Sequence, residues 1–283
     1  MSRRLPFKVA GVYDTETTTL QDGARSVAFP CLYICNDIRT LDITAYKAEI
    51  SDDIRYYRCA GDVLEWLGDL MQWGYSAGVV PVVCAYNLMF DLHPLMAELA
   101  RQYDVKVNAQ SSTHVYTLDL CFEGDICLRF WDTYYLEMGG LAAMGCTCGL
   151  AKALGDWDYN LVRTPETKLT ADEMHYAARD VQVIPAYLRY LIEANEWLEP
   201  EMLASTVLTK TSLVRQMAQR TIGRERISFS NGQRHSLFDA FKMTCIREWA
   251  PNFYLYALRK ACFRGGLTFT SANLASTLSL IHI

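Results

Sequence analysis

The chain of 283 residues contains no apolar run long enough to cross a membrane, and the stretch from Val9 to Tyr13 is too short for a signal peptide. Its ten cysteines include no Cys-x-x-Cys pair; Cys146 and Cys148 come nearest, and no second pair lies near them in sequence. The lack of a long apolar run argues against a membrane protein, and the lack of paired Cys-x-x-Cys motifs argues against a zinc site. Scattered cysteines are typical of a reducing compartment, so we expect a cytoplasmic protein without a membrane partner.

The chain also lacks the excess of positive charge that marks a simple nucleic-acid binder, since its formal net charge is −5. Residues 202–283 hold 11 Lys and Arg against 3 Asp and Glu, whereas residues 1–201 hold 16 against 29. Two differently solvated surfaces would account for this split. The alternative, which we favour, is an acidic metal-binding domain followed by a segment that tracks a phosphate backbone.

Apolar periodicity predicts strands first and helices later. We expect strands over 7–13, 26–35, 40–46, 79–86, 115–122 and 126–131, and helices over 62–73, 91–103, 136–154, 170–196 and 201–221. The first three strands should form a meander, and Ser228 to Gln233 should be a loop. This order favours an α/β fold with a mixed β-sheet of about five or six strands flanked by helices.

Two carboxylates close the first predicted strand. Asp14 and Glu16, in Tyr13-Asp14-Thr15-Glu16-Thr17, are two residues apart and share one face of a strand. Charge at the edge of an apolar core is costly without a partner, so the pair indicates a shared ligand. A solvated strand end is the plain alternative.

A second motif, Asn87-Leu88-Met89-Phe90-Asp91, follows an interior strand and begins a helix. Asp91 could bind metal, or it could only cap the helix or complement its dipole. The amide of Asn87 could hold a sugar or phosphate oxygen. The ring of Phe90 could wedge against a base, or it could pack in the core.

A third motif lies on a later helix. Thr170-Ala171-Asp172-Glu173 is a capping box, so the helix should begin at Thr170. Tyr176 and Asp180 then lie at i and i+4 on one face, where the phenol could hold a water while the carboxylate binds metal. The alternative is a buried tyrosine, with Asp180 paired to Arg179 or Arg189.

Carboxylates from these three motifs form a ligand set for hard divalent cations such as Mg²⁺. Two such ions, roughly 3.5–4 Å apart, can clamp the attacking and leaving oxygens of a phosphodiester. We therefore expect metal-dependent nuclease chemistry.

The motifs resemble, in order and spacing, the Exo I, Exo II and Exo III motifs of the DEDD 3′–5′ exonucleases, which have a ribonuclease H-like fold. Asn-x-x-Phe-Asp and Tyr-x-x-x-Asp are similar to the proofreading domain of family B DNA polymerases. Gly155-Asp156-Trp157-Asp158-Tyr159-Asn160 and Phe263-Arg264-Gly265-Gly266 resemble the protein-primed viral and plasmid subgroup. The second of these corresponds to the linker between exonuclease and polymerase.

The resemblance implies roles for the matching positions. Tyr176 would orient the attacking water, and two Mg²⁺ or Mn²⁺ ions would be bound by Asp14, Glu16, Asp91 and Asp180. DNA contacts would come from Thr17, Asn87, Phe90, Thr133, Arg264, Gly265 and Gly266. The implied partners are single-stranded DNA, primer-template DNA and a terminal protein primer.

The chain departs from the subgroup at three positions. Leu154 stands where the subgroup usually has a catalytic Lys, with Lys152 the nearest amine, so the exonuclease would be slower or use another cation. Tyr134 follows Thr133 where Leu is favoured, and Phe263 replaces the linker Tyr and loses its hydroxyl.

His175 leaves an alternative for the third motif, because His175, Ala177 and Asp180 also match the His-x-Ala-x-x-Asp of the superfamily's histidine branch. On a continuous helix, position 175 is about 140° from position 180, whereas position 176 is about 40° away. A helix that begins at Thr170 therefore favours Tyr176. A helix that begins after residue 176 would reverse this assignment.

The resemblance also implies domain limits: a 3′–5′ exonuclease domain over residues 1–196, then a mainly helical linker and start of the polymerase domain over 197–277. No palm carboxylates follow the Gly-Gly element. Residues 278–283 match the translation of CTG TCT CTT ATA CAC ATC, the start of a transposase adapter, so we expect a truncated reading frame with an adapter-derived tail.

The expected protein is the N-terminal part of a family B DNA-directed DNA polymerase, in the host cell cytoplasm if viral. Two alternatives stay open. One is a free-standing exonuclease acting on DNA or RNA, and the other is a DNA-binding module whose nuclease site has decayed.

Overall fold

The computed structural model describes residues 5–22, 25–48, 53–111, 114–151, 157–158, 161–222, 226–228 and 234–236. Packing divides the chain into two units, Met1–Leu213 and Val214–Ile283. The predictions for Lys152, Leu154, Phe263 to Gly266 and the tail 278–283 lie outside the described residues. Within the described ranges, none of the helices combines the length and the apolar character that a membrane crossing requires.

A seven-stranded mixed sheet forms the centre of the first unit. Its strands are β1 (Phe7–Asp22), β2 (Arg25–Asp37), β3 (Ile54–Tyr57), β4 (Val80–Ala85), β5 (Asp104–Ala109), β6 (Val115–Phe122) and β7 (Asp125–Asp132). They lie in the order β3-β2-β1-β4-β7-β6-β5. Strand β4 pairs in parallel with β1 and β7, and every other pairing in this sheet is antiparallel.

Helices cover both faces of this sheet. They are α1 (Ala60–Ala77), α2 (Leu88–Leu92), α3 (Met96–Gln102), α4 (Leu141–Cys148) and α5 (Ala171–Glu193). A further helix, α6 (Lys210–Ile222), begins at the end of the first unit and continues into the second. Alternate residues of β1 enter two separate cores, because successive side chains of a strand point to opposite faces. Val12 packs in the core that contains α5, and Tyr13 packs in the core that contains α1, α2 and α3. The predicted α/β class, a mixed sheet flanked by helices, is confirmed.

Three strand predictions need correction. Strand β1 does not stop near Asp14 but continues to Asp22, because its hairpin with β2 stays paired to the tip. The predicted third meander strand over 40–46 is wrong: Ile43–Ala45 is a 3-10 helix capped by Asp42, and Ile54–Tyr57 pairs with β2 instead. The sheet also gains β5, an edge strand that lies mostly exposed and was not predicted.

The β6–β7 hairpin is confirmed, with both Glu123 and Gly124 at positive φ in its turn. Helix α5 begins where the capping box predicts, since Thr170 and Glu173 cap each other's backbone N–H groups. The predicted helix over 136–154 is shorter, because glycines at positive φ, Gly140 and Gly149, flank it.

The segment after residue 196 is less helical than predicted. Pro200–Met202 is a 3-10 helix, and α6 begins only at Lys210. The second unit contains a hairpin of β8 (Arg226–Ser228) and β9 (Arg234–Ser236), so Ser228 ends a strand rather than beginning a loop. Leu198, Leu203 and Val207 are buried in the core of the first unit. The predicted change of domain after residue 196 stays a prediction.

Candidate metal centre

Strand β1 and helix α5 bring together carboxylates that are far apart in sequence. Asp14 and Glu16 share the face of β1 that carries Val12, and this face packs toward α5. On α5, Ala177, Val181 and Ile184 form the buried stripe against the sheet. Asp180 lies within the same turns and is itself buried.

The carboxylate oxygens of Asp14, Glu16 and Asp180 lie within 4.8 Å of one another, one oxygen taken from each residue. Glu16 is 4% exposed and Asp180 is 6% exposed. Oxygen ligands at this spacing suit a hard divalent cation, and the positive charge would offset the repulsion between the acids. The donor set therefore fits a divalent metal ion.

Asp91, in α2, lies beside this group but does not belong to its compact set. Asp91 as a whole is 3% exposed. Burial, followed by the nearby charge of Asp14, raises the pKa of Asp91 well above its usual value. A cation bound between these residues would favour the ionised form of Asp91.

The backbone of Asp91 is held by the opposite face of β1. The Thr15 hydroxyl donates to the Tyr13 hydroxyl at 2.7 Å, and the Tyr13 hydroxyl donates to the Asp91 carbonyl at 3.1 Å. Burial raises the pKa of Tyr13 well above its usual value, so the phenol stays a donor. One strand therefore supplies two carboxylates on one face and positions a third residue from the other.

Asp132, at the end of β7, is a buried acid that the sequence reasoning missed. Its carboxylate accepts backbone N–H groups from Asn87 at 3.0 Å, Leu88 at 3.2 Å and Tyr134 at 3.0 Å. Burial raises the pKa of Asp132 to about 6, with these hydrogen bonds acting in the opposite direction. An acid that directly follows an apolar stretch, as Asp14 does in the sequence, was the signal that could have found it.

The residues predicted to contact DNA fall into two groups. Asn87, at φ 68°, is exposed, and Phe90 is 49% exposed, so both reach the surface next to Asp91. Thr17 and Thr133 are buried, and the Thr133 hydroxyl donates to the Ala85 carbonyl at 2.9 Å. Arg264, Gly265 and Gly266 lie outside the described residues. The proposed DNA contacts of all these residues stay predictions.

Helix α5 places Tyr176 one turn before Asp180, half-buried, with its ring centroid 6.5 Å from that of Trp157. His175 is exposed. The helix is continuous from its cap at Thr170, which is the condition under which the geometry favours Tyr176 over His175. Asp180 faces Asp14 and Glu16.

A buried arginine ties the loop before α5 to the site. The guanidinium of Arg163 pairs with Glu173 at 2.6 Å and lies 4.3 Å from the ring centroid of Trp157. The indole N–H of Trp157 donates to the Thr17 carbonyl at 3.3 Å. Arg163 thereby links the capping box of α5 to the strand that carries the acids.

These observations define an α/β protein whose mixed seven-stranded sheet is flanked by helices and carries a largely buried cluster of carboxylates between β1 and α5. Solved structures of phi29 DNA polymerase have a similar fold. Its complex with primer-template DNA and incoming nucleotide matches 78% of this chain with a TM-score of 0.57 and 16% identity. Its complex with single-stranded DNA matches 76% with a TM-score of 0.55 and 17% identity.

The chain spans about 35% of the length of those polymerase chains. No family model matches the chain, and no curated protein matches it either. At these identities the likeness establishes the fold alone.

Proposed function

We propose that this chain is the N-terminal part of a family B DNA polymerase and that residues 1–196 hydrolyse the terminal phosphodiester of single-stranded DNA 3′ ends. The observation that carries this proposal is the convergence of Asp14, Glu16 and Asp180, whose oxygens lie within 4.8 Å of one another beside buried Asp91. The likeness in fold to phi29 DNA polymerase, solved with primer-template and single-stranded DNA, supports it.

The four acids would hold two Mg²⁺ or Mn²⁺ ions. Asp14 and Asp91 are close enough for their charges to interact, as are Glu16 and Asp91. When bound, the ions supply Lewis-acid activation of the attacking water and charge neutralisation at the phosphate. The acids themselves provide oxygen donors that are fixed by the strand and helix backbones.

The remaining residues of the site would bind and orient the DNA strand. The phenol of Tyr176 would orient the attacking water, since it lies on the same helix as Asp180, one turn away. The exposed amide of Asn87 and the exposed ring of Phe90 would contact the terminal nucleotide. Thr17, Thr133, Arg264, Gly265 and Gly266 complete the proposed set of DNA contacts.

The partners of the complete gene product would be single-stranded DNA, primer-template DNA and a terminal protein primer. The activity that we expect from the residues of this chain is the exonuclease activity.

The proposal is tested by incubating the chain with a 5′-labelled single-stranded DNA in Mg²⁺ or Mn²⁺ and resolving the products. Wild type should shorten the strand from its 3′ end, and Asp14→Ala/Glu16→Ala should not. Glu65→Ala/Asp69→Ala removes two exposed acids from α1 and should retain activity. A wild type that leaves the strand intact in both ions, or a double variant as active as wild type, would contradict the proposal.

A matched RNA strand in the same assay separates the alternatives. Preferential shortening of RNA would favour a free-standing ribonuclease. Binding of DNA without shortening would favour a decayed site.

A further inference from the structure

Asp132 is a buried carboxylate to which the proposed chemistry assigns no task. It ends β7, is 5% exposed, and pairs in register with Ala85 at the end of parallel strand β4. Its two oxygens accept three backbone N–H groups, from Asn87 and Leu88 after β4 and from Tyr134 after β7. One side chain therefore joins the ends of two central strands at the edge of the carboxylate cluster.

The segment held by Asp132 adopts an uncommon conformation. Asn87 has φ 68° and ψ 52°, the left-handed region that non-glycine residues seldom occupy. The Asn87 N–H donates to Asp132 Oδ1, and the Leu88 N–H donates to Asp132 Oδ2. A carboxylate accepts both hydrogen bonds, whereas the side-chain amide of an asparagine would place its NH2 group, a donor, against one of the two backbone N–H groups. The Asn87 carbonyl then accepts the N–H of Phe90 at 3.0 Å.

The far end of the same segment is held independently. The Asp91 carbonyl accepts a hydrogen bond from the Tyr13 hydroxyl, and the Tyr13 hydroxyl accepts one from the Thr15 hydroxyl. Loss of Asp132 should therefore disturb Asn87 and Phe90, at the start of the segment, more than the carboxylate of Asp91. Asn87 and Phe90 were predicted to contact the DNA strand, and Asp91 was predicted to bind metal.

We infer that Asp132 is a positioning residue, whose carboxylate locks Asn87 in its left-handed conformation and thereby aims the Asn87 amide and the Phe90 ring at the 3′-terminal nucleotide. This inference rests on the proposed exonuclease function. Asp132 touches neither DNA nor metal in this role. Its effect should appear in the KM for single-stranded DNA rather than in kcat.

The test uses steady-state cleavage of single-stranded DNA by the full chain carrying Asp132→Asn. We expect KM to rise about tenfold, the effect of losing one charge-assisted hydrogen bond, while kcat changes less than about threefold. Asp119→Asn, which removes a buried acid from β6 on the far side of β7, is the matched control and should leave KM unchanged. Asp132→Ser replaces Asp132→Asn if that variant does not fold.

A double-mutant cycle separates positioning from general support of the fold. Asn87→Gly removes the amide and makes the left-handed conformation accessible without help. In the Asn87→Gly background, Asp132→Asn should not raise KM further. An equal rise in both backgrounds, or an unchanged KM for Asp132→Asn in the wild-type background, would overturn the inference.

Binding measurements keep the two proposals distinguishable. The dissociation constant of a 5′-fluorescein single-stranded DNA in Ca²⁺, followed by anisotropy, should rise about tenfold for Asp132→Asn. If wild type cleaves no DNA but this rise occurs, the exonuclease proposal fails and the positioning of Asn87 for DNA stands. If wild type cleaves DNA and neither constant changes, only the positioning role fails.

Discussion

The guanidinium of Arg129 pairs with the carboxylate of Asp119 across β6 and β7, with Nε–Oδ1 at 2.6 Å and the second nitrogen–oxygen contact at 2.7 Å. The same guanidinium donates to the Ala204 carbonyl at 2.7 Å and lies 3.9 Å from the ring centroid of Phe7. Ala204 has φ 55°. Arg129 thus holds the segment after α5 against the sheet. That segment includes Ala204, whose positive φ is unfavourable for alanine.

Arg129→Ala should lower the free energy of unfolding by about 3 kcal/mol, because it leaves Asp119 as a buried, unpaired charge. Urea denaturation followed by circular dichroism measures the change. Arg101→Ala breaks the exposed pair with Glu98 on α3 and should cost less than about 1 kcal/mol. Equal losses in the two variants would show that Arg129 does not anchor the segment.

Metal ions should stabilise the protein, because they neutralise crowded buried acids. Mn²⁺ should raise the melting temperature of wild type, and EDTA should reverse the effect. Asp91→Asn should raise the melting temperature in EDTA, since burial and the charge of Asp14 disfavour the ionised Asp91 carboxylate, and it should reduce the gain from Mn²⁺. Differential scanning fluorimetry measures both shifts, and a less stable Asp91→Asn in EDTA would contradict the prediction.

Asp37 should make the stability depend on acid pH. Burial alone raises its pKa, but hydrogen bonds and charge from Arg39, with a further hydrogen bond from Trp66, outweigh this and hold the pKa below the usual 3.8. Such a carboxylate stabilises the fold above the unfolded pKa, and this contribution is lost as pH falls through the folded pKa. The stability difference between wild type and Asp37→Asn should therefore shrink from pH 5 to pH 3.

Urea unfolding at both pH values measures that difference. Asp69→Asn, at an exposed position of α1, is the control and should show no such trend. A difference that grows toward acid would mean that Asp37 is not held ionised by Arg39.

The capping box should be worth about 1 kcal/mol to the fold. Thr170→Ala removes the hydroxyl that accepts the Glu173 N–H, so the first turn of α5 should fray. Thr170→Ser keeps the hydroxyl and should retain most of the stability. Chemical denaturation compares the two variants, and identical losses would assign the effect to the methyl group instead.

Tyr176→Phe should lower kcat of the proposed exonuclease by roughly tenfold or more, because it removes the hydroxyl that we propose to orient the attacking water. His175→Ala should leave kcat unchanged, since this side chain is exposed on α5. Cleavage of single-stranded DNA measures both. The reverse order of effects would assign the chain to the histidine branch.

Features encoded by neighbouring residues were predictable from the sequence. The start of α5 follows from Thr170 and Glu173, which recognise each other within one turn. The β6–β7 hairpin follows from a short turn that contains Gly124. The shared face of Asp14 and Glu16 follows from the period of a strand.

Features that depend on distant partners were not predictable. Strand β3 is short, and only its pairing with β2 makes it a strand. Strand β5 is an exposed edge whose sequence carries little apolar signal. Asp132 accepts hydrogen bonds from Asn87 and Leu88, which lie 45 and 44 positions away, and the local sequence around Asp132 does not predict these bonds.

Because β1 contributes side chains to the cores on both faces of the sheet, its register does not tolerate insertions or deletions. Inserting a single residue before Tyr13, with the pairing of the preceding residues kept, would turn both acids toward the opposite core and bring Tyr13 to the face that meets α5. The outer part of the β1–β2 hairpin is less constrained, because Val27 and Phe29 of β2 are exposed. Natural relatives should therefore differ in length at the tip of that hairpin while keeping the stretch from Val9 to Glu16 free of insertions and deletions.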